Sequence, residues 1–227
     1  MADDDKQTMS LFRKMKDGTI VFFQLLSYFF FLFFFRPFLH IKRTLPDNIS
    51  RLNRGSLLVA NHQAKTDPFI VMGYLPLLSF LKLIPVRFPA DNHYMKIPLV
   101  GSVLRLFGCY DVGGNTRERM LVLLRTCELI RSGKTVFLFP EGEIAQSERV
   151  PFQKGINFFI REAKAVIFVR IDGFNPQNIA SLEEKERRLS YGEVCDTELT
   201  SLDVVKLQDY FDLLTESRSP FIIRNDK

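Results

Sequence analysis

Seventeen consecutive residues, Thr19 to Phe35, read TIVFFQLLSYFFFLFFF, and only Thr19, Gln24 and Ser27 interrupt the apolar run. Nine of the 23 phenylalanines of the chain lie between Phe22 and Phe38. The segment is apolar all round, which argues against an ordinary soluble-core helix and for contact with lipid. As a helix it is roughly 25 Å long, a little short of the ~30 Å hydrocarbon core of a bilayer. Arg36-Pro37 interrupts the pattern, and Phe38 to Ile41 prolong it before Lys42 and Arg43. Basic residues flank both ends (Arg13, Lys14 and Lys16 before, Arg36, Lys42 and Arg43 after), so charge asymmetry sets no direction. A helix that enters the near leaflet, turns at Arg36-Pro37 and returns places both basic clusters on one face. The alternative is a spanning helix that tilts to fit. On either reading residues 1–45 form a membrane-associating segment, and deleting Met1 to Phe38 is expected to release a soluble domain.

The remaining residues, 46–227, suffice for one α/β domain with a real core. A net charge of +5 and a pI near 9.1 suit an anionic partner such as a membrane surface or a phosphorylated substrate. Nucleic acid fits poorly, since there is no zinc-ligand spacing, RNA-binding signature or long basic run. Cys109, Cys127 and Cys195 are odd in number and lack a CxxC pattern, which favours a reducing compartment. Asp3, Asp4 and Asp5 spoil the basic start of a secretory signal.

Short apolar runs alternate with helical patterns. Strands are expected at Ser56–Ala60, Leu83–Phe88, Cys109–Val112, Thr135–Phe139 and Val166–Ile171. Helices are expected from Asp67 to about Leu81, from Pro98 to Phe107, from Thr116 to Ser132 with Gly133 as the stop, after Gly155, and from Ser201 to Thr215. The alternation predicts a helix-covered sheet.

Of three histidines, His62 alone follows a buried-strand pattern and precedes a carboxylate at short range, in NHQAKTD (Asn61 to Asp67). Five residues along a helix would leave the two side chains roughly 140° apart. His62 is therefore expected in the turn after the strand, with Asp67 as N-cap and Pro68 as the first helical residue. The carboxylate then holds one imidazole nitrogen and leaves the other as a base. An Asp-Pro cap beside an incidental turn histidine would give the same letters. A second site signal is VFLFPEGE (Val136 to Glu143), where an apolar strand runs into Pro140-Glu141-Gly142. Strand ends are where α/β folds place their sites.

Together, NHQAKTD, FPEG, MKIPLVG, FQKG and VIFVRIDGF, in this order from about Pro46 to Phe174, resemble the glycerolipid acyltransferases typified by lysophosphatidic acid acyltransferase. The resemblance implies a mixed sheet of that fold type behind an N-terminal hydrophobic anchor, and a protein on the cytoplasmic face of a membrane. It implies transfer of a fatty acyl group from acyl-CoA or an acyl carrier protein thioester to a lysophospholipid hydroxyl. Lysophosphatidic acid, giving phosphatidic acid, is the first choice of acceptor. His62 corresponds to the general base and Asp67 to the residue that orients it. Glu141 and Gly142 fall on the acceptor-binding motif, Lys96 on a position that is often basic, and Asn61 in the turn or as a donor to the intermediate. The chemistry needs neither metal nor cofactor, because a thiol is a good leaving group.

The chain departs from the family pattern where VGGNTR (Val112 to Arg117) puts Gly113 and Gly114 in place of an Asp and an Arg, leaving Arg117, or less directly Arg119, to meet a phosphate. The backbone N–H groups of Gly113 and Gly114 are expected to assist. After FPEG, Glu143-Ile144-Ala145 replaces Thr-Arg-Ser, with Ser147 further on. These changes bear on the acceptor headgroup, and lysophosphatidylethanolamine is the alternative. A membrane-anchored lipid-binding module is the non-enzyme reading, against which the intact His62–Asp67 pair argues. A hydrolase lacks its G-x-S-x-G nucleophile here.

Overall fold

The computed structural model describes residues 2–142, 144, 150–153, 155–174, 187–196 and 204–214. Helix α1 (Ala2–Phe30) widens into a π-helical stretch (Phe31–Phe35) and continues as α2 (Arg36–Leu39). Then come β1 (Lys42–Thr44), β2 (Ser56–Ala60), α3 (Asp67–Tyr74), α4 (Leu77–Leu83), β3 (Val86–Ala90), α5 (Asn92–Lys96), α6 (Pro98–Leu106) and β4 (Cys109–Asp111). After α7 (Thr116–Arg131) follow β5 (Thr135–Leu138), α8 (Ile156–Glu162), β6 (Ala165–Asp172), β7 (Arg188–Tyr191), β8 (Cys195–Asp196) and a last described helix, here α9 (Val204–Leu213).

The sheet runs β1-β7-β6-β2-β5-β3-β4, with β8 also paired to β6. β6, β2, β5, β3 and β4 are mutually parallel, while β7 lies antiparallel to β6 and β1 parallel to β7. The sheet is therefore mixed, and helices cover both faces. In β2, Leu58 and Ala60 pack with Tyr28, Phe31, Ile70 and Phe80 on one side. Leu57 and Val59 pack with Ile130, Ile156, Ile160 and Phe211 on the other. Burial on both faces explains why β2 reads as an unbroken apolar run.

Several boundaries differ from expectation for identifiable reasons. The helix expected from Asp67 to Leu81 is two helices, because Pro76 pushes Leu75 into an extended conformation (ψ 147°). The strand expected from Leu83 begins at Val86, after α4 has claimed Leu83. The stop at Gly133 is a Schellman turn: Gly133 (φ 77°) donates to Ile130 and Lys134 to Leu129, at 2.9 and 3.0 Å. β1, which lies before Pro46, and its partner β7 carry too little apolar pattern to announce themselves. Residues 201–203 and 215 of the expected C-terminal helix lie outside the described residues.

The N-terminal helix departs most from its expected form. Pro37 does not turn the chain. Its missing N–H and its ring are absorbed by the widened π stretch, and the chain stays helical to Leu39 before His40 (φ 45°) ends it. The chain then enters the sheet directly as β1. Asp17, Ile20, Gln24, Tyr28 and Phe31 form a stripe at helical spacing that packs on the domain. The buried Gln24 carboxamide donates to Val86 O (2.7 Å) and Phe107 O (2.9 Å) and accepts from Val86 N (3.0 Å). Tyr28 donates to Leu75 O at 2.9 Å and stacks on Phe80. Asp17 pairs with both Arg87 and Lys134. Phe22, Phe29, Phe30, Phe33, Phe34 and Phe38 line the exposed side. One side of the helix thus belongs to the domain, and the other is an uncovered aromatic face.

Candidate active site

β2 and β5 are parallel neighbours, with Val59 opposite Leu138, so both chains leave the sheet at the same end. The turn after β2 carries His62, and the turn after β5 carries Glu141. Their meeting is a consequence of register. The His62 backbone N–H donates to Glu141 Oε2 at 2.8 Å. The imidazole lies almost flat on Phe139, with ring centroids 3.9 Å apart and planes at 10°.

His62 Nδ1 is 3.0 Å from Asp67 Oδ2. The same oxygen accepts from the backbone N–H groups of Gln63 (2.7 Å) and Ala64 (2.8 Å). Asp67 is wholly buried, 0% exposed, so nothing but this loop competes for that oxygen. Its expected place as N-cap is corrected: Thr66 holds that position and Asp67 is the first helical residue, with its carboxylate bonded backward into the loop instead of forward into α3. Donation of Nδ1–H to Asp67 leaves Nε2 as the basic nitrogen, and the side chain keeps 18% exposure through which a hydroxyl can reach it.

Glu141 is only 5% exposed. Burial pushes its carboxyl up to about 7, against the pull of the His62 N–H, the imidazole and Arg170. Glu141, which falls on the acceptor-binding motif, holds the histidine loop through its carboxylate. Gly142 (φ 79°) takes the left-handed conformation and closes the Pro140-Glu141 turn through its N–H to Phe139 O (3.1 Å). Asn61 is tied to β6. Its Nδ2 donates to Ile171 O (2.8 Å) and its Oδ1 accepts from Ile171 N (2.7 Å). The amide extends the β2–β6 ladder by one side chain, which uses one of its two Nδ2 hydrogens.

The cations expected to meet a phosphate stand outside these hydrogen bonds. Lys96, at the end of α5, and Arg117, in the first turn of α7, are exposed, and neither bonds His62, Asp67 or Glu141. The Gly113 N–H is taken by Asp111 (2.8 Å) and the Gly114 N–H by Glu118 (2.6 Å), so those amides cradle carboxylates of the chain itself. Arg119 is likewise exposed on α7. Glu143, Ala145 and Ser147 lie outside the described residues.

Sequence reasoning passed over three residues. Phe139 is the platform for the imidazole, and the first letter of FPEG was the signal for it. Gln63 ties the loop to Phe174 N at 2.9 Å. Lys65, on the same loop, sits 4.9 Å over the ring of Tyr94 and brings a cation of that loop beside α5. Cys109 and Cys127 are not nucleophile candidates, since burial pushes Cys109 up to about 12 and raises Cys127 as well.

The family model described as Acyltransferase matches residues 39–169, more than half of the chain and including both the histidine loop and the FPEG turn. The chain belongs to this acyltransferase family. Within it, 121 residues are 28% identical to the chloroplastic 1-acyl-sn-glycerol-3-phosphate acyltransferase LPAT1 of Arabidopsis thaliana, covering 52% of this chain and 32% of that protein. The chain thus spans about a third of the curated relative it matches. The fold is similar to that of the crystal structure of the 1-acyl-sn-glycerophosphate (LPA) acyltransferase PlsC from Thermotoga maritima, with a TM-score of 0.60 over 90% of this chain and 80% of that one at 19% identity.

Proposed function

We propose that this acyltransferase moves a fatty acyl group from an acyl thioester, acyl-CoA or an acyl carrier protein conjugate, to the free hydroxyl of a lysophospholipid. Lysophosphatidic acid is the acceptor we assign, giving phosphatidic acid. One observation carries the reading: an imidazole fixed at Nδ1 by a buried carboxylate and open at Nε2, at the mouth of parallel strands. His62 Nε2 takes the proton of the acceptor hydroxyl as its oxygen bonds to the thioester carbonyl carbon. The tetrahedral intermediate collapses with loss of the carbon–sulfur bond, and the imidazolium returns the proton to the departing thiolate. Asp67 fixes the tautomer, while Glu141 and Phe139 fix the position of the ring. Lys65 and Lys96 share the acceptor phosphate by charge-assisted bonds, and the aromatic outer side of α1 rests in one leaflet, which keeps His62 at headgroup depth.

The family resemblance and the named activity of the plant relative support the choice of acceptor. The occupied Gly113 and Gly114 amides favour a second reading in which a substituted phosphate, as in lysophosphatidylethanolamine, is accepted instead. Full-length protein incubated with labelled acyl-CoA or acyl carrier thioester and a panel of lysophospholipids separates these by the lipid formed. His62→Ala should lower turnover by about 10²–10⁴-fold. Unchanged turnover in His62→Ala removes the mechanism. Water as sole acceptor makes the protein a thioesterase.

A further inference from the structure

At the end of the sheet opposite His62, three strands enter side by side. Arg54 precedes β2, Pro85 precedes β3, and Ser132, Gly133 and Lys134 connect α7 to β5. α1 crosses these entries with Lys14, Asp17, Gly18 and Val21, and a cleft of about 520 Å³ opens between them. The length of β2 and its turn, roughly 15–20 Å, separates this cleft from the imidazole, so it is no part of the catalytic site.

Its charge is unbalanced. Among the described residues, Lys14, Arg54 and Lys134 line it, Arg87 stands behind, and Asp17 is the one carboxylate with them. Asp17 already serves both Arg87 and Lys134. Arg54 donates through Nε to Ile84 O at 3.2 Å, and its two terminal nitrogens have no partner among the described residues. Lys14 has none either. The C-terminal end of α7 adds a partial negative charge, which offsets only a fraction of the surplus. The nearby backbone is closed: the N–H groups of Gly133 and Lys134 and the Ser132 hydroxyl all bond within the α7 turn. Recognition here must come from flexible and forked cations. That combination suits an oxyanion with several acceptor oxygens and more than one negative charge.

We propose that this cleft is a non-catalytic phosphate site, held by Lys14, Arg54 and Lys134, whose occupant clamps α1 to the lower end of the sheet. The phosphate is carried either by an anionic lipid headgroup beside α1 or by a soluble compound. The inference goes beyond acyl transfer and does not depend on it, so it is tested on the catalytically disabled His62→Ala chain by binding alone. Full-length protein is titrated with inorganic phosphate in detergent. It is also bound to nanodiscs of phosphatidylcholine with and without phosphatidylglycerol. The pair Lys14→Gln and Arg54→Gln is compared with Arg161→Gln and Lys206→Gln, two exposed cations on α8 and α9. The cleft pair should lose about fivefold in anion-dependent affinity per cation, and the control pair should lose little. Saturable binding of inorganic phosphate that the cleft pair abolishes assigns a soluble source. A response confined to phosphatidylglycerol nanodiscs assigns the headgroup. Equal losses in both pairs, or no dependence on either anion, overturn the proposal.

Discussion

At the scale of single residues, Asp67 acts through one oxygen and three donors. Asp67→Asn keeps the shape and removes the charge that stabilises an imidazolium, and the new amide nitrogen cannot accept. Turnover should fall about 10²–10⁴-fold while the acceptor Michaelis constant moves far less; steady-state rates over a range of acceptor concentrations check this. Glu141 ties protonation to stability. Its folded value of about 7 lies above the ordinary 4.5. Between those values the native chain binds more protons than the unfolded one, so unfolding free energy falls as pH rises from about 4.5 through about 7. Urea midpoints measured across that window should decline in the parent protein and stay flatter in Glu141→Gln. Parallel curves would remove the burial assignment. The letters of the sequence carried the His62–Asp67 bond, because spacing, turn chemistry and a proline converge within one loop. They did not carry the bonds of Asn61 and Glu141, whose partners Ile171 and His62 lie 110 and 79 residues away in the chain. Only strand order brings those groups together.

At the scale of elements, helices with clear stops were legible and short edge strands were not. α7 has a side-chain cap at Asn115 and a glycine stop at Gly133, both written in the sequence. β1 has three exposed residues and, among the described residues, pairs with β7. Gln24 looked like a flaw in an apolar run and is the point where α1 is fastened to the sheet. Gln24→Leu removes three hydrogen bonds, to Val86 N–H, Val86 O and Phe107 O, at a cost of at least about 2 kcal/mol. Thermal unfolding should drop by roughly 4–8 °C. Phe22→Leu, on the outer side of the same helix, should leave the midpoint unchanged. Equal effects would mean that α1 is a tether and not a packed element.

At the scale of the whole molecule, α1 belongs both to the core and to the surface that the reading above gives to lipid. Removing Met1 to Phe38 would uncover Phe80 and the backbone of Val86, so the truncated chain is expected to aggregate instead of becoming the soluble domain the hydropathy pattern suggests. Size-exclusion chromatography of the truncated protein decides this. Single cysteines at positions 14 and 42 in sealed vesicles should both react with an impermeant reagent from the same side, because α1 lies along the domain that carries both residues. Labels on opposite sides would mean a spanning helix. The docked helix also sets a timetable for synthesis. Gln24 leaves the ribosome well before its partners, which follow 62 and 83 residues later, a delay of several seconds at ~5–20 residues per second. Through that interval the phenylalanine-rich segment has no protein to rest on. Whatever shelters it then, lipid or chaperone, is as much a condition for building the active site as the histidine itself.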